Sequence, residues 1–498
     1  MCGIFASTNV VNEEIMNEVL NSMGHRGPDE GKSIPLTHFH LGHQRLSIIG
    51  LYDGIQPIES NEGNRWIVCN GEIYNYKTLK EQLTTPFVTS SDSEVALKIV
   101  EEQGVEGIKQ LDGMFAFFIA DDEDGTFIAA RDTLGIKPLY YGELEDGSLV
   151  FASEVKTLYV ATEDVHEFPP GHYYTPDTGF IAYNRIEQPT ITEQQETKKY
   201  EEEIRTKLKK AVQKRLIADV EVGVLLSGGL DSSLIAAIAS EMREQGKVLK
   251  SFCVGSEGSM DLLRARDVAE AIGTEHYEYV YTEEELIEAI PHVIYHLESY
   301  EPSLVRSALP NYFVSKLASE HVKVILSGEG ADELFAGYDY LKEFTTTESL
   351  NEEILRIIDT LHNINLQRAD RMSMAHSLEL RVPFLDLELI ESALEIPADL
   401  KLHKEAQMEK TILRQAFDGY LPNHVLWRKK EEFSAGSGAL DILEQHANAT
   451  VTDQRMVELM EEAPFEIRTK QEALYYDLFK QHFPHHSILE TVGKWATG

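Results

Sequence analysis

The sequence predicts two domains of different class: an α+β first half built mainly on antiparallel sheet, and an α/β second half built on a parallel sheet and followed by a mainly helical part. Three observations carry this. Up to about residue 185, short strand-like runs are separated by turn signals, and Asp124-Gly125 between two apolar runs is a strong hairpin signal. From about residue 200, short continuous apolar runs alternate with helical stretches, the pattern of strands buried on both faces. Between them lies "RIEQPTITEQQETKK", polar and without periodicity, which reads as a linker. The domains are therefore drawn at residues 1–185 and 201–498, joined by 186–200.

In the first half the strands are read from "HLGHQRLSII", "RWIVCNGEIYN", "GMFAFFIADDEDGTFIAARD" and "SLVFASE". The stretches "NEEIMNEVLNSMG" and "SDSEVALKIVEEQG" read as helices, each closing at a glycine suited to a helix C-terminus. In the second half the strands are "VGVLL", "SFCVG", "HYEYVYT" and "VKVILS", with helical sequence between them. After about residue 350 the chain reads as helical, interrupted by the loop-like "RVPFLD" and "RKKEEFSAGSG".

Charge narrows the function. The chain of 498 residues carries 45 basic and 84 acidic side chains, a formal charge of -39. Such a surface repels phosphate backbones and anionic lipid, so neither nucleic acid nor a membrane is expected as partner. No run of about 18 apolar residues occurs, and the start lacks a basic region followed by an apolar one. A soluble, cytoplasmic protein is expected. Its three cysteines, Cys2, Cys69 and Cys253, are far apart and form no CxxC pair, which excludes a disulfide framework or zinc site. Cys69 and Cys253 lie in apolar runs, where cysteine acts as a small buried hydrophobe. Cys2, at the very start of an apolar run, needs another explanation.

"VGVLLSGGLDSS" and "VKVILSGEGADE" share a grammar: an apolar strand, Ser-Gly, then a glycine-containing turn with an Asp. Loops leaving the carboxyl ends of parallel strands line the ligand crevice, so both are expected at one site. Ser227, Gly228 and Gly229 let backbone N–H groups approach an anion, and the helix starting near Ser232 adds its positive end. Asp231 and Asp332 would stand beside bound phosphate, with Mg²⁺ bridging carboxylate and phosphate oxygens. A tight strand–helix connection is the plain alternative for either loop alone. The loop is no Walker A, because the GxxxxGK[ST] lysine is missing.

"SGGLDSS" resembles the pyrophosphate-binding loop of the ATP pyrophosphatases. "MCGIF", "HRGPD", "QRLSI", "NGEIYN" and "SDSE", in that order, resemble the glutaminase domain of class II, N-terminal-nucleophile amidotransferases. Both together, followed by "LSGEGADELFAGY", "LELRVPFLD" and "WRKKEEFSAG", resemble the glutamine-hydrolysing asparagine synthetases over nearly the whole chain. The resemblance implies a glutaminase domain of antiparallel sheets sandwiched by helices, a synthetase domain using ATP, and a homodimer. It also answers the question of Cys2. Once Met1 is removed, Cys2 carries a thiol and a free α-amine, which titrates near about 7.7 to 8 and can serve as its own general base.

By the same resemblance, Cys2 attacks the amide of glutamine, and the Asn70 side chain with the Gly71 N–H forms the oxyanion hole. Arg45 and Asp92 hold glutamine's carboxylate and ammonium, with Glu72 nearby. Each has an ordinary reading alone: Arg45 a surface cation, Asn70-Gly71 a hairpin turn, Asp92 a helix cap. At the second site the β-carboxylate of aspartate attacks ATP to give β-aspartyl-AMP and pyrophosphate, and ammonia displaces AMP. Leu225, Ser227, Val254, Ser327 and Gly328 match positions that hold the adenylate; Glu329 matches the general base and Lys430 the charge-stabilising lysine, with Lys429 its neighbouring candidate. Arg306 and Ser303 match the aspartate pocket. One departure stands out: the family commonly has two threonines before that arginine, whereas "EPSLVRSALP" has Ser303 and Leu304. A related amidotransferase acting on a different carboxylate is therefore the alternative reading.

Overall fold

The computed structural model describes residues 1–190, 195–243, 246–402, 408–429 and 439–494. Two six-stranded antiparallel sheets form the first half. One runs, in spatial order, His166–Glu167, Tyr140–Glu143, Leu149–Ala152, Gly3–Ser7, His40–Arg45, Glu30–Pro35; the other Gly179–Ala182, His172–Thr175, Thr126–Arg131, Gly113–Asp121, Arg65–Ile73, Ile58–Glu59. The central strands Gly3–Ser7 and Gly113–Asp121 are buried on both faces, and period-2 alternation sorts their side chains. Ile4, Ala6, Ala116, Phe118 and Ala120 meet Phe127 and Phe151 in one core shared by the sheets. Phe5, Phe115, Phe117 and Ile119 belong to the other core, with the helices. Helix Glu13–Ser22 packs on strand His40–Arg45, and Glu94–Gln103 on Arg65–Ile73. The layers are thus helix, sheet, sheet, helix.

The second half holds a five-stranded parallel sheet in the order Glu275–Val280, Lys250–Gly255, Val222–Leu225, Val324–Leu326, Glu379–Arg381. Phe252, Cys253 and Val254 are buried in succession, as are Val324, Ile325 and Leu326, so both faces are covered. The strand order reverses at Val222–Leu225. The crevice between its carboxyl end and that of Val324–Leu326 is therefore the topological switch point, where open α/β sheets bind ligands. No helix among the described residues is long and apolar enough to cross a membrane.

Several details differ from the sequence reading: strands Glu30–Pro35, His172–Thr175 and Gly179–Ala182 have no counterpart in it, and the helix expected from about Ser232 starts at Leu230. Helix Thr197–Arg215 starts inside the segment read as linker. Helix Glu13–Ser22 caps at Met23 rather than at Gly24, while Gly104 does close Glu94–Gln103 with φ 66°. The fifth parallel strand, Glu379–Arg381, falls where only helix and loop were expected, because three residues, two of them charged, leave no periodic signal.

Candidate active sites

Cys2 leads straight into strand Gly3–Ser7, whose register sets Gly3 opposite Gln44 and so directs Cys2 toward Arg45. Cys2 is buried. Its backbone N–H donates to Asn70 Oδ1 at 3.0 Å, while Asn70 Nδ2 is buried with no hydrogen-bond acceptor. Asn70, Gly71 and Glu72 lie within strand Arg65–Ile73, paired throughout with Gly113–Asp121, so the Asn-Gly pair is no hairpin turn. A Cβ on Gly71 would stand 2.1 Å from the Met114 carbonyl oxygen, which only glycine avoids. Burial raises the Cys2 thiol pKa; the residue 1 amine, the Leu46 backbone N–H and Arg45 act against it. With Met1 in place, its amine pairs with buried Glu379 at 3.1 Å.

The other residues expected around Cys2 converge there. Arg45 is buried and donates to the carbonyls of Gly50 at 2.6 Å and Leu51 at 3.4 Å. Asp92 is not the helix cap, a place taken by Ser93; its Oδ2 accepts the Ile73 N–H at 2.7 Å. Burial raises its pKa to about 6. Glu72 is pushed well above the usual carboxylate range by burial, then by Asp92 and Glu379, against the pull of Arg381 at 3.5 Å.

The two glycine-containing loops meet at the switch point. A Cβ on Gly328 would lie 2.9 Å from both Asp231 Cβ and the Ser232 nitrogen, so the loops touch. Gly228 takes φ 70°, and a Cβ there would be 2.5 Å from the Arg264 carbonyl carbon. Helix Leu230–Met242 starts at Gly229 without a side-chain cap, leaving its first N–H groups for an anion. A cavity of about 590 Å³ opens here. Leu225, Ser227, Gly229, Asp231, Ser232, Val254, Ser327, Gly328, Glu329 and Asp332 all line it, and so do Ser303 and Arg306. Of the nucleotide and acceptor residues read from sequence, all but Gly228, which packs against Arg264, therefore share one cavity. Arg306 donates to Ser303 Oγ and to Gln471 Oε1, each at 2.9 Å. Leu304 packs in the core and also lines the cavity, its N–H donating to Glu301 at 2.6 Å. Lys429 also lines the cavity, and Lys430 lies outside the described residues.

Sequence reasoning missed three groups. Lys410 Nζ stands 2.5 Å from Asp231 and 2.8 Å from Asp332, so an ammonium lies between the two carboxylates assigned to Mg²⁺. Burial opposes its charge, but the two aspartates hold its pKa above the ordinary lysine value. Arg368 donates to Glu329 Oε1. Arg26 donates to the Cys2 carbonyl at 2.9 Å and forks onto Asp370 at 2.8 and 3.1 Å, and Asp370 shares helix Asn365–Met374 with Arg368. Only "HRGPD" marked any of these in advance. Single charged residues in helical sequence give no local sign of a distant partner.

Comparison with known proteins finds two families along the chain. Residues 1–169 match the glutamine amidotransferase domain family, and residues 203–351 and 342–494 the asparagine synthase family. Glutamine-hydrolysing asparagine synthetase 2 of Arabidopsis thaliana is 41% identical, covering 99% of this chain and 89% of that protein. The Zea mays enzyme of the same description is 40% identical over 99% and 88%. A solved glutamine phosphoribosylpyrophosphate amidotransferase from B. subtilis aligns over 71% of this chain and 79% of that one at 19% identity and a TM-score of 0.33, a likeness too slight to argue from. With both domain families in one chain and full-length identity at this level, the chain belongs to the glutamine-hydrolysing asparagine synthetases.

Proposed function

We propose that this protein makes asparagine from aspartate, glutamine and ATP, with Cys2 and the switch-point cavity as its two centres. The convergence of both glycine-containing loops with Ser303 and Arg306 on one cavity carries the reading. At the first centre Cys2 Sγ bonds to the side-chain carbonyl carbon of glutamine, the C–N bond breaks, ammonia leaves, and water releases glutamate. The buried Asn70 Nδ2 and the Gly71 N–H suit the developing oxyanion. Removal of Met1 would free an amine where the Cys2 N–H now stands. Arg45 and Asp92 supply a cation and an anion for the two ends of the amino acid.

At the second centre an oxygen of the aspartate β-carboxylate bonds to the α-phosphorus, and the bond to pyrophosphate breaks. Ammonia then bonds to the acyl carbon, AMP leaves, and Glu329 takes the proton. The first N–H groups of helix Leu230–Met242 and Lys410 face the phosphates. Asp231 and Asp332 are hard oxygen donors of the kind Mg²⁺ accepts, and no group of three His, Cys, Asp or Glu among the described residues is arranged as a metal site. Mg²⁺ carried by ATP would neutralise phosphate charge beside them. Arg306, braced by Ser303 and Gln471, suits the aspartate α-carboxylate. Cytoplasmic residence and a homodimer belong to the same proposal, on the strength of the family.

The test is to incubate the protein with glutamine, ATP, Mg²⁺ and single amino acids, and to identify the amide and the nucleotide. Asparagine with AMP is expected, and ADP would sink the adenylate route. Cys2→Ala should abolish synthesis from glutamine while leaving synthesis from added ammonia. Loss of both together would count against two separable centres.

A further inference from the structure

The segment that follows Arg45 is held by the second domain. Ser47 donates its N–H to Asp29 Oδ2 at 2.7 Å, and the same oxygen accepts Lys323 Nζ at 2.6 Å. The Asp219 N–H donates to the Ile48 carbonyl at 3.0 Å, while Asp219 Oδ2 accepts the Gly50 N–H at 2.9 Å. Gly50 is the residue whose carbonyl takes the guanidinium of Arg45 at 2.6 Å. Its φ of 66° suits glycine, and a Cβ would lie 2.9 Å from the Ser91 nitrogen, next to Asp92. Arg45, Ser91 and Asp219 therefore all bear on one residue.

The two anchors have a shared place in the fold. Asp219 lies three residues before strand Val222–Leu225, and Lys323 immediately before Val324–Leu326. These are the two central parallel strands, four and three residues long, and their far ends carry the loops with Asp231 and Asp332. At about 3.3 Å per residue each strand spans about 10 to 13 Å. The amino ends of the strands thus grip the loop beside the glutamine centre, and the carboxyl ends line the nucleotide cavity.

We propose that Asp219, a residue of the synthetase domain, is a positioning residue of the glutamine subsite: it fixes the Gly50 and Leu51 carbonyls that aim Arg45. The Asp29–Lys323 pair is a second, weaker clamp on the same segment. This rests on the assignment of Arg45 to the glutamine carboxylate. Without the Asp219 carboxylate the loop would keep its own contacts with Arg45 and the backbone bond from residue 219 to Ile48, but lose the bond that holds Gly50. Glutamine binding should then suffer, while the chemistry at Cys2 and the nucleotide cavity should not.

The experiment measures glutamine hydrolysis, with KM and kcat separated, and ammonia-dependent asparagine formation. Losing one neutral-donor hydrogen bond should raise the glutamine KM of Asp219→Ala about five- to tenfold, with hydrolysis kcat and the ammonia-dependent rate within about twofold of the parent. Asp219→Asn should recover most of the loss, because its carboxamide oxygen still accepts the Gly50 N–H. Lys323→Met tests the second clamp without touching Asp219 and should raise the KM about twofold. An unchanged glutamine KM in Asp219→Ala overturns the proposal, and an unchanged one in Lys323→Met strikes the second clamp. A parallel fall of the two activities in Asp219→Ala with a lowered melting temperature also overturns the proposal, since it would make Asp219 a general domain contact. Arg45→Ala separates the layers: an unchanged glutamine KM there refutes the assignment of Arg45 itself, whereas a raised KM there with a normal one in Asp219→Ala refutes only the role of Asp219.

Discussion

Lys410 sits with its backbone in the left-handed region, φ 55°, a conformation that costs a side-chain-bearing residue about 1 to 2 kcal/mol. Its ammonium between Asp231 and Asp332 offsets that cost, because two carboxylates brought together by touching loops would otherwise repel in a half-buried site. Asp92 is the contrasting case, a carboxyl whose pKa burial has raised to about 6. If it binds the ammonium of glutamine it must be ionised to do so. The apparent kcat/KM for glutamine hydrolysis should therefore fall as pH drops below about 6, through a rise in KM. Asp92→Asn should lose this acid limb along with most of the affinity. An acid limb that persists unchanged in Asp92→Asn would assign it to another group.

Among the elements, the two loops at the switch point leave no room for side chains where they touch. Gly328 packs against Asp231 and Ser232, at distances where a methyl group must displace backbone. Gly328→Ala should push "SGGLDSS" out of place and raise the KM for ATP at least tenfold. Glutamine hydrolysis without ATP should stay within about twofold, since strand Gly3–Ser7 and its neighbours lie in other sheets. Comparable losses in both assays would show that the damage is not confined to the loops. The short strand Glu379–Arg381 works differently. Its Arg381 donates to the carbonyls of Arg215 and Ile217 at 2.8 and 2.7 Å and reaches Glu72, so a three-residue edge strand ties the synthetase sheet to the glutamine centre.

For the whole molecule, buried ion pairs join the halves. Glu167 of the first sheet accepts Arg131 at 2.9 Å and meets His362 of the second half at 2.6 Å. Burial alone would raise its pKa, but His362 and Arg131 outweigh it and hold the carboxyl at about 2, against an ordinary 4.5. A depressed carboxylate binds its proton less readily folded than unfolded. Its contribution is therefore complete above the unfolded value near 4.5 and is lost as pH falls through about 2. A shift of this size corresponds to about 3 kcal/mol. Glu167→Gln should lower stability by roughly that amount at pH 7 and flatten the acid limb of the denaturation profile below about pH 4.5. Denaturant titrations across that range check it, and a profile parallel to the parent's would place the acid sensitivity elsewhere.

What could be read without coordinates is what is contiguous in the chain. Cys2 ahead of "GIFA", "NGE" inside an apolar run, and each Ser-Gly turn after a β-branched strand carry their chemistry within a few residues, and the alternation of strands and helices separates an antiparallel from a parallel half. Even there local sequence was equivocal, since Asn70-Gly71 fits a turn as well as a central strand, and only pairing with Gly113–Asp121 decides it. Tertiary structure alone brings Lys410 to Asp231, 179 positions away, Arg368 to Glu329, and Asp219 to Gly50, 169 positions away. The reason is physical. Burial faces repeat with the period of the backbone and so show in the sequence, whereas a charge pair between distant segments needs only one residue on each side and leaves no periodic trace.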